Sequence, residues 1–134
     1  MSQPLILSGR CLCGAVRYQF EGVPLWCAHC HCESCRRQTS AVFASFVGVR
    51  SEDIAWSGSG RRRYQSSPGV HRTFCGDCGS PMTYESETRW PGETHLHIGS
   101  LDEPNAVAMG AHVHVDEQLS WIEVLDQLPR FGAT

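Results

Sequence analysis

The sequence contains no lysine: all eleven basic side chains are arginine. It has no apolar stretch approaching the ~20 residues that a membrane-spanning helix needs. Its opening segment, Met1–Arg10, holds only Leu5, Ile6 and Leu7 as an apolar run, with no basic segment before it. That is too short for the core of a signal peptide. It also lacks an internal repeat, a low-complexity tract and a linker. These absences predict one domain, 1–134, in the cytoplasm, with no membrane partner. The formal charge is −3 and no basic tail is present, which argues against nucleic acid as a partner. An all-arginine cation set reflects genomic base composition, or suits bidentate recognition of carboxylates.

Cysteine is abundant by contrast. The eight are Cys11, Cys13, Cys27, Cys30, Cys32, Cys35, Cys75 and Cys78. The spacings C-x-C, C-x-C-x-x-C and C-x-x-C are those of metal ligands, and cytoplasmic thiols stay reduced. Metal binding is therefore favoured over disulfides. A chain of this length buries a modest core, and a metal staple would add to it.

The rest of the pattern is short alternating segments broken by Gly, Pro and Ser, which predicts mainly β structure. Strands are expected over 15–20, 26–29, 42–49, 54–57, 61–65, 70–74, 81–86, 94–98 and 111–115. Helical turns are expected at 33–38 and within 119–128, where Pro129 ends the second.

Two constellations carry the chemistry. Cys11-Leu12-Cys13-Gly14 precedes a strand and Cys75-Gly76-Asp77-Cys78-Gly79 follows one. Each resembles a zinc knuckle, and together they supply four sulfurs for a closed, structural tetrahedral Zn²⁺. Closing the intervening loop costs about 3–4 kcal/mol. Structural zinc contributes roughly 10–16 kcal/mol, so binding wins.

The second constellation is Cys30-His31-Cys32-Glu33-Ser34-Cys35. Three thiols converge on one ion if Cys32 leads into a helical turn, leaving a fourth position open to an incoming thiol. The alternative is a second closed site completed by Cys27, His29 or His31. Cys27 reads better as a small buried hydrophobe. Seven thiolates on two Zn²⁺ bring the net charge to about −6. The pairs His95/His97 and His112/His114 are read as solvent-facing alternation, and Arg61-Arg62-Arg63 as a solvated charge run.

These motifs, with Ser67 to Gly79, Gly99-Ser100-Leu101-Asp102, Trp121 and Leu128-Pro129, resemble the glutathione-dependent formaldehyde-activating enzyme family, which includes the centromere protein V domain. The resemblance runs over about 9–131. It implies a mainly antiparallel, zinc-stapled β fold of the β-tent type. It implies structural zinc on Cys11, Cys13, Cys75 and Cys78, and catalytic zinc on Cys30, Cys32 and Cys35. The implied activity is that of a carbon–sulfur lyase or synthase. It would act on glutathione adducts of formaldehyde or a related small aldehyde, with glutathione as co-substrate. Arg36, Arg37 and Arg72 are the candidates to hold the thiol's carboxylates, on charge and proximity. The competing functions are a non-catalytic thiol-binding or redox-sensing module and a zinc-stapled interaction domain. A homodimer is compatible with the pattern but not required by it.

Overall fold

The computed structural model describes residues 3–133. Two sheets account for most of it. In the smaller, β2 (Val16–Gly22) lies between β1 (Leu5–Arg10) and β5 (Ile54–Gly58), all antiparallel. The larger has seven strands. Its middle is β3 (Trp26–Cys30), β4 (Ala44–Arg50), β9 (Glu93–His97), β8 (Pro81–Ser86) and β7 (Val70–Cys75), in that order. Its edges are β10 (Ala111–Val113), parallel to β3, and β6 (Arg61–Ser67), antiparallel to β7. The α-helix α1 (Glu33–Thr39) connects β3 to β4. Among the described residues no helix is long and apolar enough to cross a membrane.

The alternation in β2 sends Val16, Tyr18 and Phe20 inward and Arg17, Gln19 and Glu21 outward. The inward set packs with Leu7 of β1 against Val47, Val49, Met82 and Leu96 of the large sheet, so one core joins the two sheets. Cys11 and Cys75 sit inside that core. The edge strand β6 is exposed along its length and carries three successive arginines. Charge on an unpaired edge discourages pairing with another chain.

The other face of the large sheet is built by register. Cys30, Ala28 and Trp26 alternate to one side of β3, and their β4 partners are Ala44, Phe46 and Gly48. Phe46 and Gly48 lie opposite His97 and His95 of β9, His95 lies opposite Tyr84, and Tyr84 opposite Arg72. A single row of side chains therefore crosses five strands on the face away from the main core. It ends beside α1, which adds Cys35 to the buried cluster of Cys30, Ala44 and Phe46.

Three sequence expectations change here. β1 was not foreseen, because consecutive Leu5, Ile6 and Leu7 hide the alternation that buries Leu7 and Gly9. The segment 119–128 forms no helix, only a single turn closed by Ile122 N–H to Leu119 O at 3.1 Å, and a short 3-10 helix at Val115–Glu117 precedes it. The paired histidines are not solvent-facing: His95, His97 and His112 are buried. The reason is that i, i+2 spacing puts His95 and His97 on one face of β9, which Trp26, Phe46 and Trp90 cover, while His112 packs against the His29 and His31 rings. His114 escapes this only because β10 ends at Val113 and His114 turns into the left-handed region at φ 55°.

Burial, with Arg72 nearby, holds the His97 imidazole at about 4, against an ordinary 6.5. As pH falls, the unfolded chain takes up this proton before the folded one does. The contribution to stability is complete above about pH 6.5 and disappears between 6.5 and 4. Denaturant unfolding of the metal-loaded protein should show about 2 kcal/mol of His97-linked loss between pH 7 and pH 5. His97→Gln should flatten that slope; an unchanged slope would contradict the assignment.

Candidate functional site

The cysteines gather into two groups. The sulfurs of Cys11, Cys13, Cys75 and Cys78 all lie within 4.8 Å of one another. Cys11 Sγ is 3.6 Å from Cys13 Sγ, and Cys13 Sγ is 3.8 Å from Cys75 Sγ. Zinc–sulfur bonds of about 2.3 Å at tetrahedral angles put neighbouring sulfurs about 3.8 Å apart, so the four are spaced to hold such an ion. The backbone completes the cradle. Val16 N–H donates to Cys11 Sγ at 3.3 Å, and Asp77 and Cys78 N–H both donate to Cys75 Sγ at 3.4 Å. Gly79 takes φ +80°, which tightens the turn and lets its N–H reach Cys75 O at 2.8 Å. Contact with the Ser80 hydroxyl leads the effects that draw the Cys78 thiol down to about 5.

The second group is Cys30, Cys32 and Cys35, again within 4.8 Å. Cys30 ends β3. Cys32 caps α1, its sulfur accepting the Cys35 N–H at 3.3 Å, and Cys35 lies one turn on. Three thiols here compete for one negative charge. Contacts with Cys32 and then Cys35 push Cys30 up, while Cys30 and then Cys35 draw Cys32 down to about 2. A divalent cation would resolve that competition by accepting all three as thiolates, and three sulfurs would leave a tetrahedral ion one further position. Cys27 is outside this group. It points from the opposite face of β3 into the main core, where burial pushes its thiol up.

The three sulfurs line a cavity of about 1,010 Å³ on the face described above. Arg72 is its principal buried cation, only 5% exposed. Its Nε donates to Ser66 Oγ at 3.2 Å, its Nη1 lies 3.8 Å from Cys35 Sγ, and its guanidinium sits 5.0 Å over the Tyr84 ring. Arg36 and Arg37 lie elsewhere. They line a separate surface depression with Ser40, Val42 and Leu119, and Arg37 Nε is bonded to Glu33 Oε2 at 2.7 Å. The cavity brings in residues that sequence reasoning missed: Trp26, Phe46, Tyr84, Arg89 and Trp90. Strand alternation held a usable signal for one of them, since Trp26 is four residues before Cys30 on the same strand and so shares its face.

Behind β3 lies a third cluster, His29, His112 and Asp126. His112 Nε2 is 2.8 Å from Asp126 Oδ2, its Nδ1 is 2.9 Å from His31 Nε2, and the His29 ring stacks on it at 4.7 Å. This chain of contacts ties the 126–131 segment to the Cys30–Cys32 loop.

Residues 6–117 match the profile of the glutathione-dependent formaldehyde-activating enzyme family. The chain belongs to that family. It is 26% identical over 134 aligned positions to a Halomonas elongata protein bearing the family's name, covering 90% of this chain and 82% of that one. It is 32% identical over 78 residues to an uncharacterized lyase of Schizosaccharomyces pombe. That match takes in 57% of this chain and spans about half, 55%, of the yeast protein. A solved structure of a Rhodobacter sphaeroides protein shares the fold, with a TM-score of 0.58 at 20% identity. That likeness covers 92% of this chain and 98% of the other. Both cysteine clusters and the cavity lining up to Glu117 fall within the family match.

The two clusters should respond differently to mutation. Cys75→Ser should remove one equivalent of zinc and abolish cooperative thermal unfolding, because an ion held by these four sulfurs would join the two sheets. Cys32→Ser should remove the other equivalent and leave the transition within a few degrees. Elemental analysis with calorimetry reads both, and identical behaviour of the two variants would contradict the division.

Proposed function

We propose that this protein is a zinc-dependent carbon–sulfur lyase or synthase acting on the adduct of a glutathione-type thiol with an aldehyde. The observation that carries this is the three-sulfur cluster of Cys30, Cys32 and Cys35 opening onto a cavity, while four other cysteines form a separate group at the edge of the core, with Cys11 and Cys75 buried and Cys13 exposed. Cys11, Cys13, Cys75 and Cys78 would hold a structural ion. Cys30, Cys32 and Cys35 would hold the second ion and leave one position for the substrate's sulfur. A zinc ion there would lower the pKa of an incoming thiol and fix its sulfur beside the aldehyde carbon.

The protein's own groups set up that step. Three thiolates with one Zn²⁺ carry net −1, and Arg72 within reach of Cys35 offsets that charge in a partly apolar surround. Its contacts with Ser66 and Cys35 hold it beside the three-sulfur cluster. Cys32 at the start of α1 is held by the Cys35 N–H, which favours its thiolate form. In the lyase direction the hemithioacetal C–S bond breaks, the hydroxyl proton leaves as the carbonyl forms, and the sulfur departs as thiolate. The synthase direction is the reverse, and neither needs an oxidant.

Equilibration of glutathione and aldehyde with their adduct, followed by NMR, tests the reading. The zinc-loaded protein should exceed the uncatalysed rate, and Cys32→Ser should lose at least ~100-fold of that excess. Equal rates with and without protein, accompanied by zinc release on oxidation, would instead identify a thiol sensor.

A further inference from the structure

We infer that the group carried on the substrate's sulfur derives from a hydrophobic aldehyde, aryl or medium-chain, in preference to formaldehyde. This rests on the function proposed above and names the substrate class for the same cavity.

The cavity is larger than a one-carbon substituent requires. At about 1,010 Å³ it lies at the upper end of the ~300–1,000 Å³ typical of pockets for drug-sized ligands. Its wall is also chemically wrong for a hydroxymethyl group. Phe46 and Tyr84 pack directly against the Cys30–Cys35 cluster. From there the aromatic surface continues through His95, with Tyr84 at 5.3 Å, Trp26 edge-on at 4.4 Å and Trp90 at 5.4 Å. A hydroxymethyl group ends within two bonds of sulfur and seeks a hydrogen bond. It leaves this wall unused.

The wall is also fixed in place. Trp26 Nε1–H donates to Glu93 Oε1 at 3.1 Å, and His95 Nε2 meets the same oxygen at 3.1 Å. The Trp26 indole lies flat across Gly48 of β4, where an added Cβ would approach its ring to 2.3 Å. Glycine in mid-strand weakens a sheet, and here it makes room for the ring. Trp90 sits 6.0 Å from Trp26 and remains half-buried, with a face towards the cavity.

Glutathione's own backbone does not suit this wall. It carries two carboxylates and an ammonium, whereas the stretch from Phe46 to Trp26 is aromatic. The polar groups lie elsewhere in the lining: Arg72 by the sulfurs, Arg89 next to Trp90, and His114 and Glu117 beyond β10. The peptide's charges would be placed among these, and the aromatic wall is left for what the sulfur carries. Strand geometry sets the reach: Trp26 and Cys30 are four residues apart, about 13 Å along β3. An aryl group meets Phe46 and Tyr84, and a chain of several carbons extends towards Trp26 and Trp90.

Two uncleavable probes separate the outcomes. Calorimetric titration of the zinc-loaded protein with S-hexylglutathione and S-methylglutathione should show the hexyl compound binding at least ~10-fold tighter, since each buried methylene adds roughly fourfold at full burial. Trp90→Ala should shrink that ratio, and Trp90→Phe should retain most of it. Equal affinities, or a ratio unchanged in Trp90→Ala, would overturn the inference and leave the lyase reading standing. Turnover of the formaldehyde adduct at or above the rate for a benzaldehyde or hexanal adduct would do the same. No binding of either probe with no turnover of any adduct would overturn the lyase reading and this inference together.

Discussion

Sulfurs that are 62 residues apart in the chain, Cys13 and Cys75, stand 3.8 Å from each other. That approach holds the end of β1 against the end of β7 and so joins the small sheet to the large one. The apolar core between the sheets is modest for two layers, and Cys11 and Cys75 belong to it. A metal ion on these four thiols would offset the cost of closing that long loop. The N–H groups of Val16, Asp77 and Cys78 already point at the sulfurs that would carry the charge.

Once that junction is made, the large sheet is free to present its second face. Register carries one row from Trp26 through Gly48, His95 and Tyr84 to Arg72, with Cys30, Ala44 and Phe46 on the same face. At one end of the row α1 folds Cys32 and Cys35 back towards Cys30. The same sheet therefore has a core on one side and a reactive cluster on the other. The separation explains how one thiol-rich chain avoids mixing its two sets of ligands: Cys11, Cys13, Cys75 and Cys78 gather where β7 ends and the turn after β1 meets it, while Cys30, Cys32 and Cys35 border the cavity.

Much of this was legible in residue order. Alternation in Val16 to Phe20 and the turn residues between segments located nine of the ten strands, and ligand spacing grouped seven cysteines as the structure groups them. What escaped was the content of the second face. Burial of His95 and His97 depends on Trp26, Phe46 and Trp90 roofing them, and those contacts come from strands far apart in sequence. Proximity in sequence and position in space also differ for the cations. Arg36 and Arg37 follow Cys35 directly, yet helix geometry turns them to a different surface, whereas Arg72 reaches Cys35 from three strands beyond β4. Pairing order in a sheet is a tertiary property, and local pattern does not encode it.

The central claim is that one thiolate cluster is closed and the other keeps a position for an incoming thiol. Cadmium-113 NMR of the cadmium-substituted protein tests it directly, because each metal's resonance reports its own sulfur count. The account predicts two resonances, of which only one moves when glutathione is added, and Cys32→Ser should remove that one. Two resonances that both stay fixed, or both move, would contradict it.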